Sequence, residues 1–428
     1  MLGLRKFKGL FWTQFLGAFN DNFFKNALVL LITYRSTRIG TLSPPEMVAL
    51  SGAIFILPYF LFSAWAGQLA DKLSKTSLTQ WIKIAEIVNM TFAAIGFIFN
   101  SIPFLMLVLF LMGTQSTFFG PIKYAILPEL LTDEELLSGN AWVEMGSFVA
   151  ILLGTVVGGL SIALEDGIYW VSAGGIGFSV FGYLASKTIP ATVPRSPKLS
   201  FQWNLLSETL KLWPIIKEVR SVFIACNAIA WFWGFGAVLL SLFPIYGKQL
   251  IGGNEIVVTW LLALFSIGIG VGSLLCSKFS RGKINLNFVF WGGLGMCLFL
   301  FDVSWIEAPR AFKVAVMSEE TISLGEFLSY PISYRITLDF FLLSVFSGLF
   351  IVPLYTIMQR DAVLEHRSRV IAGNNVLSAI AMVGLSLILT WLLGKAIEVP
   401  KLYMMLGISH LAVVSWTWKT IQSLRPES

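Results

Sequence analysis

The chain has 428 residues, 56% of them hydrophobic and only 13% charged, with a mean hydropathy of +0.78. Soluble domains carry about 25% charged residues, so this chain cannot cover a water-facing surface with polar groups, and an all-α polytopic membrane protein is the expectation. Its net charge of +6 calls for no nucleic-acid partner, because basic residues beside a membrane answer to the anionic inner leaflet.

The chain opens MLGLRKFKGLFW, like a signal peptide, but the apolar run continues past a signal core and lacks a cleavage site. We read it as a retained first span. A bilayer core of about 30 Å needs roughly 20 apolar residues per helix. Twelve segments qualify: 9–34, 47–70, 78–99, 103–128, 139–164, 167–187, 221–248, 256–278, 284–304, 336–361, 372–396 and 399–424. A basic linker, Thr188–Arg220, divides them into an N-terminal half (1–187) and a C-terminal half (221–428) of six helices each. A second long connection, Trp305–Arg335, follows span nine. Cys226, Cys276 and Cys297 lie in apolar runs without metal or disulfide spacing.

Span one carries GAFNDNFFKNA at its centre. Gln14, Gly17, Asp21, Lys25 and Leu28 share one helical face, with Asn22 on its flank. Asp21 lies about 18 Å from the span's N-terminal end, near midplane. A charge there costs at least about 2.5–3.5 kcal/mol, whereas an i,i+4 pair returns only about 0.2–0.5 kcal/mol. Pairing alone therefore does not account for it. The stripe either faces a hydrated cavity or locks span one to a neighbour. Span four adds Gln115, Phe119 and Lys123, and span five adds Asn140, Glu144 and Ser147. Lys123 either pairs with Glu144 or meets a substrate phosphate; the residues leave both open.

From Ser221 to Ser277 the only charged residues are Lys248 and Glu255. Spans seven and eight are aromatic and aliphatic. Trp231, Phe232 and Phe235 are either packing or the wall of an acyl-chain cavity. One half with buried charge and one nearly without it suits an amphiphilic substrate. Gly154-x-x-x-Gly158 and Gly268-x-x-x-Gly272 allow close helix approach, through static packing or sliding contacts. The linker segment FQWNLLSETLKLWPIIKEVR is amphipathic. It either lies on the membrane surface or acts as a tether.

With the N terminus inside, 21 of the 30 Lys and Arg fall on the inner side when Lys83 and Lys123 are counted with the inner ends of their spans, eight fall on the outer side, and Lys25 lies within span one. The positive-inside rule then places both termini in the cytoplasm. The chain also repeats. Pro121 and Pro353 each open a stretch that runs through a charged loop to a Gly-Asn pair, Gly139-Asn140 and Gly373-Asn374. GQLADKLSK from Gly67 has a weaker counterpart in GSLLCSKFSRGK from Gly272. Parallel halves of this kind point to a transporter with its site at their interface.

GQLADKLSK resembles the loop signature of the major facilitator superfamily, with Gly67, Leu69, Ala70 and Asp71 matching, Lys72 in place of an arginine and Ser74 in place of a glycine. FLGAFNDNFFKNAL, GPIKYAILPEL and SGNAWVEMGSFVAILLGTVVGG resemble the bacterial lysophospholipid transporters, most closely the transporter-like part of fused acyl-ACP synthetase/acyltransferase proteins. The resemblance implies a twelve-helix fold in the bacterial inner membrane. It implies movement of lysophospholipid from outer to inner leaflet for phospholipid remodelling, with an acyltransferase as a candidate partner. It places Asp21 and Lys123 on motif positions. Substrate contacts are then expected from Asp21, Asn22, Lys25, Gln115, Lys123, Asn140 and Glu144, and a conformational switch from Gly67, Asp71 and Lys72. Asp71 is expected near the inner start of span eleven, favoured by that helix's dipole. No Walker motif or acyltransferase His-x4-Asp pair is present, so neither an enzyme nor a cofactor is expected. Two other readings stand beside this one: a proton-coupled exporter of amphiphilic compounds, and a non-transporting scaffold for an acyltransferase.

Overall fold

The computed structural model describes residues 1–34, 43–280, 282–318 and 320–422. Arg281, counted above among the inner basic residues, lies outside them. Twelve long helices follow one another: α1 (Arg5–Tyr34), α2 (Pro44–Lys72), α3 (Lys75–Ile98), α4 (Ile102–Ala125), α5 (Asp133–Ala163), α6 (Gly167–Ser186), α7 (Arg220–Tyr246), α8 (Glu255–Ser280), α9 (Asn287–Ser304), α10 (Pro331–Asp361), α11 (Arg367–Gly394) and α12 (Val399–Gln422). All but α1 and α12 pass a test of length and apolarity for crossing a membrane. Their outer faces are apolar: Phe181, Leu184, Trp291, Leu387 and Ile388 are all exposed. That is the inverse of a soluble surface and fits lipid as the solvent.

Several helices begin earlier than hydropathy alone sets them. α5 starts at Asp133 because Thr132 and Glu135 form a capping box, with Thr132 Oγ1 accepting the Glu135 N–H. α11 starts at Arg367 rather than at Ala372, where hydropathy sets the span. Caps fix helix ends, whereas apolar windows mark only the stretch that lipid must solvate.

The chain forms two compact units. The first is Met1–Val222 with Met358–Val376; the second is Phe223–Ile357 with Leu377–Ser428. The first unit therefore holds α1–α6, the linker and the adjoining ends of α10 and α11. Its core is phenylalanine-rich, with Phe19, Phe23 and Phe178 in mutual ring contact and Phe24 against Phe97. α5 lies directly on α1: a methyl built on Gly154 or Gly158 would collide with the backbone of Phe19 or Phe23. In the second unit, Gly268 and Gly272 of α8 press on α10 at Phe341, Ser344 and Val345 in the same way. Both small-residue motifs are thus packing seams inside a unit, which removes them from the candidate sliding contacts.

The linker forms a helix at Leu205–Lys217. Leu212 clusters with Ala64 of α2 and Val376 of α11, and Ile216 packs on Gly373. Leu206, Leu210 and Trp203 remain exposed. The helix is docked along one face and open along the other.

The connection after α9 folds as two short helices, Arg310–Ser318 and Leu324–Ser329, closed by a Phe312–Phe327 stack. Ile322 bridges the backbone of Gly252 and Asn254, donating its N–H to the Gly252 carbonyl at 2.8 Å and accepting from the Asn254 N–H at 3.0 Å. Gly252 has φ +70° and lies against Ala315, so both backbone and space there require glycine. The Ser323 backbone N–H and hydroxyl hold the Glu326 carboxyl below its usual range, which fixes the start of the second short helix.

Candidate functional site

Polar residues of α1, α3 and α4 converge inside the first unit. Lys83 and Glu86, one turn apart on α3, form an ion pair at 2.6 Å with both side chains fully buried. Glu86 also accepts from the Asn20 amide of α1 at 3.0 Å and the Gln115 amide of α4 at 3.2 Å. The Lys83 ammonium lies 5.3 Å from the centre of the Phe119 ring. Gly17 makes room for it, since a side chain there would meet Lys83 Nζ. Both Glu86 oxygens are therefore hydrogen-bonded, the condition under which a buried ion pair is tolerated, while Asn20 Oδ1 and Gln115 Oε1 stay buried without a partner.

Asp21 sits beside this cluster, half-buried. Its Oδ2 accepts from Ser116 at 2.5 Å, and its Oδ1 is buried without a partner. Lys25 lies over the Phe55 ring at 5.6 Å, and Asn22 bonds back to the Ala18 carbonyl of its own helix. The i,i+4 residues Asp21 and Lys25 thus turn to different neighbours. Further along α4, the Lys123 ammonium lies 4.5 Å from the Tyr124 ring centre. Glu144 accepts from the Tyr124 hydroxyl at 2.5 Å and interacts electrostatically with Lys123. Among the described residues, no carboxylate is within ion-pair distance of Lys25 or Lys123. Ser116 and Lys123 are seven residues apart on α4, so the two levels are separated by about 10 Å along the helix.

A third group ties α2 and α5 to the ends of α10 and α11 that belong to the same unit. Asp71, fully buried, accepts the Ser368 backbone N–H at 3.0 Å in the first turn of α11 and the Arg369 Nε at 3.1 Å. Its own carbonyl accepts the Ser196 N–H of the linker. Gly67 permits the approach, because a Cβ there would lie 2.8 Å from Ala372 Cβ. Lys72 ends α2, half-buried. Asn140 exchanges two amide hydrogen bonds with Gln359, both at 2.8 Å, and both residues are fully buried. Asn140 therefore sits in this tie.

The Major Facilitator Superfamily model matches residues 10–386. The chain belongs to the major facilitator superfamily. It is 27% identical over 409 residues to the lysophospholipid transporter LplT of Escherichia coli O7:K1 (strain IAI39 / ExPEC), covering 95% of this chain and 88% of the relative. Two solved structures share the fold. The transporter FucP in the outward conformation has TM-score 0.73 at 10% identity, covering 97% of this chain and 98% of FucP. The human organic anion transporter MFSD10 has TM-score 0.70 at 13% identity, covering 96% and 99%.

In this major facilitator chain, the second unit corrects two expectations. Phe232 and Phe235 are internal packing: Phe232 stacks on Phe350, and Phe235 lies against His410. Trp231 donates its indole N–H to His410 Nδ1 at 2.9 Å. Phe232 and Phe235 therefore belong to the unit's interior, the packing alternative, whereas Trp231 is only half-buried. The C-terminal half is also not free of internal charge. Asp302 on α9 and Arg335 on α10 form a two-point ion pair, with Asp339 buried one turn on. Sequence reasoning passed over Lys83, Glu86 and these three residues. The signal was present, since each is an ionisable residue within or at the end of an apolar span. Gln359 carried no such signal, because an uncharged amide 219 residues from its partner is marked only by the fold.

Proposed function

We propose that this chain is a lysophospholipid carrier of a bacterial inner membrane, moving single-chain phospholipids from the outer to the inner leaflet, with both termini cytoplasmic. The observation that carries the proposal is the pair of open lysine–carboxylate couples in the first unit, Lys25 with Asp21 and Lys123 with Glu144. Each offers an ammonium without an ion partner beside a carboxylate held by a single hydroxyl. A zwitterionic headgroup needs this combination: a cation for its phosphate and an anion for its ammonium. Lysine meets phosphate as a point charge and does not fix its orientation, which suits a headgroup handed from one level to another. The two couples, about 10 Å apart along α4, act as successive stations. The relatives' name, lysophospholipid transporter, supports the same substrate class. The positive-inside asymmetry supports the orientation.

The test is uptake of matched lysolipids into proteoliposomes. Lys123→Ala lowers uptake of every phosphate-bearing lysolipid by about 10- to 100-fold, the weight of a lost charge-assisted hydrogen bond of about 1.5–3 kcal/mol. Asp21→Asn lowers ethanolamine headgroups more than glycerol headgroups, since only the former bring an ammonium. Equal loss across headgroups for Asp21→Asn, or normal uptake by both variants, overturns the assignment.

A further inference from the structure

The second unit contains a titratable cluster for which lysolipid binding has no use. Asp302 on α9 receives the Arg335 guanidinium at both carboxylate oxygens, through Nε at 2.9 Å and through Nη2. Asp339 follows Arg335 by one turn of α10, about 6 Å deeper. It is 4% exposed, interacts electrostatically with Asp302, and its Oδ2 has no partner. From α7, Tyr246 interacts with Asp339 and Arg335; its hydroxyl is fully buried and also unpartnered. Tyr403 of α12 packs on Tyr246 with ring centres 5.6 Å apart, and its hydroxyl is unpartnered too. Among the described residues, Asp302, Arg335 and Tyr246 are the charged and titratable groups that interact with Asp339, and Tyr403 stands behind Tyr246.

Two neighbouring carboxyl groups, one of them buried and unpartnered, repel each other when both are ionised, and such a pair settles by holding one proton. The single guanidinium neutralises only one of them. With no proton the cluster carries one net negative charge; with one proton it is neutral. Asp302 and Arg335 are about a third and a half exposed, so they stand between solvent and the buried Asp339.

We infer that Asp339 and Asp302, closed by Arg335 and Tyr246, form a proton-binding site in the C-terminal half. The proton enters past the exposed Asp302–Arg335 pair and resides on Asp339. An oxygen-liganded metal cation is the weaker occupant, because the guanidinium already fills the Asp302 oxygens. The site goes beyond the headgroup reading, and its test contains no lysolipid.

The experiment is infrared difference spectroscopy of the purified protein in lipid nanodiscs across a pH series. The wild type shows a protonated-carboxyl carbonyl band that Asp339→Asn removes. Asp302→Asn takes away the negative charge that holds the proton, so the band's midpoint moves down by about one pH unit or more, tenfold in proton affinity. Arg335→Gln removes the opposing positive charge and moves the midpoint up by a similar amount. Sodium at constant pH leaves the band unchanged. Should Asp339→Asn fail to fold, the two part-exposed variants carry the test through their opposite shifts. A folded Asp339→Asn spectrum identical to wild type, unmoved midpoints in the other two, or displacement of the band by sodium overturns the inference.

Discussion

Lys83 and Lys123 are both lysines inside apolar helices, yet they differ in what their removal leaves behind. Lys83 is closed into a fully buried ion pair with Glu86, and Asn20 and Gln115 complete that carboxylate's shell. Lys83→Met strands a buried carboxylate, a change that costs about 3–5 kcal/mol. Thermal unfolding in detergent should therefore fall sharply for Lys83→Met. Adding Glu86→Gln should recover most of the loss, because no charge is left to solvate: the amide oxygen still accepts from one of Asn20 and Gln115, and the new N–H2 can donate to the other once that amide flips. Lys123 has no ion partner, and Glu144 keeps its Tyr124 hydrogen bond when Lys123 is gone. Lys123→Ala should lower the unfolding temperature less than Lys83→Met does, while transport fails. If both variants destabilise equally, Lys123 is structural and the second station is misplaced. The distinction was only half legible in the chain. GAFNDNFFKNA announces itself because three asparagines surround its charges. WIKIAEIVN hides a more deeply buried pair among aliphatic residues, where it reads as ordinary helix.

At the scale of elements, the tie on α10 and α11 is strong in one part and weak in the other. Amide hydrogen bonds across membrane helices average about 0.6 kcal/mol, so the Asn140–Gln359 exchange contributes about 1 kcal/mol. Hydrogen bonds to a charged group contribute about 1.5–3 kcal/mol each, and Asp71 accepts two from the first turn of α11. The sum is a few kcal/mol, enough to hold one arrangement and small enough for a ligand's differential affinity to overcome. Asp71→Asn should therefore change the rate of lysolipid uptake while equilibrium binding in detergent stays within a few-fold. Loss of binding by folded protein would show that Asp71 does more than bias a conformation. A double-mutant cycle on Asn140→Ala and Gln359→Ala should give a coupling below about 2 kcal/mol; a larger value would mean that the amide pair governs the tie. The Asp71 loop was readable because its signature is local, five residues from Gly67 to Asp71. What those residues touch was not readable in the same way. Ser368 and Arg369 lie some three hundred residues away, and only helix packing brings them near.

For the whole molecule the decisive property is parity. Twelve crossings return the C terminus to the side of the N terminus and put the folded connection after α9 on the other side. The least apolar of the twelve are α1, interrupted by Asn20, Asp21, Asn22, Lys25 and Asn26, and α12, which carries Lys401, His410 and Lys419. If either failed to cross, parity and the basic-residue asymmetry would disagree. Single cysteines decide this, because the native Cys226, Cys276 and Cys297 are buried and contribute little background. Gly3 and Gly325 are exposed, and an added Cβ at either meets nothing within 4 Å; Val193 in the linker is also exposed. Ser423, outside the described residues, reports on the far end of α12. In sealed inverted vesicles, an impermeant thiol reagent should label cysteines at Gly3, Val193 and Ser423 and spare one at Gly325. In spheroplasts the pattern should reverse. Gly3 and Val193 on opposite sides would mean that one of α1–α6 does not span, and α1, with its central charges, would be the helix to re-examine. Gly325 and Ser423 on the same side would implicate α10–α12. If α1 proved to be that helix, Asp21 would leave the membrane interior, and with it would go the argument that its charge is retained there for a headgroup.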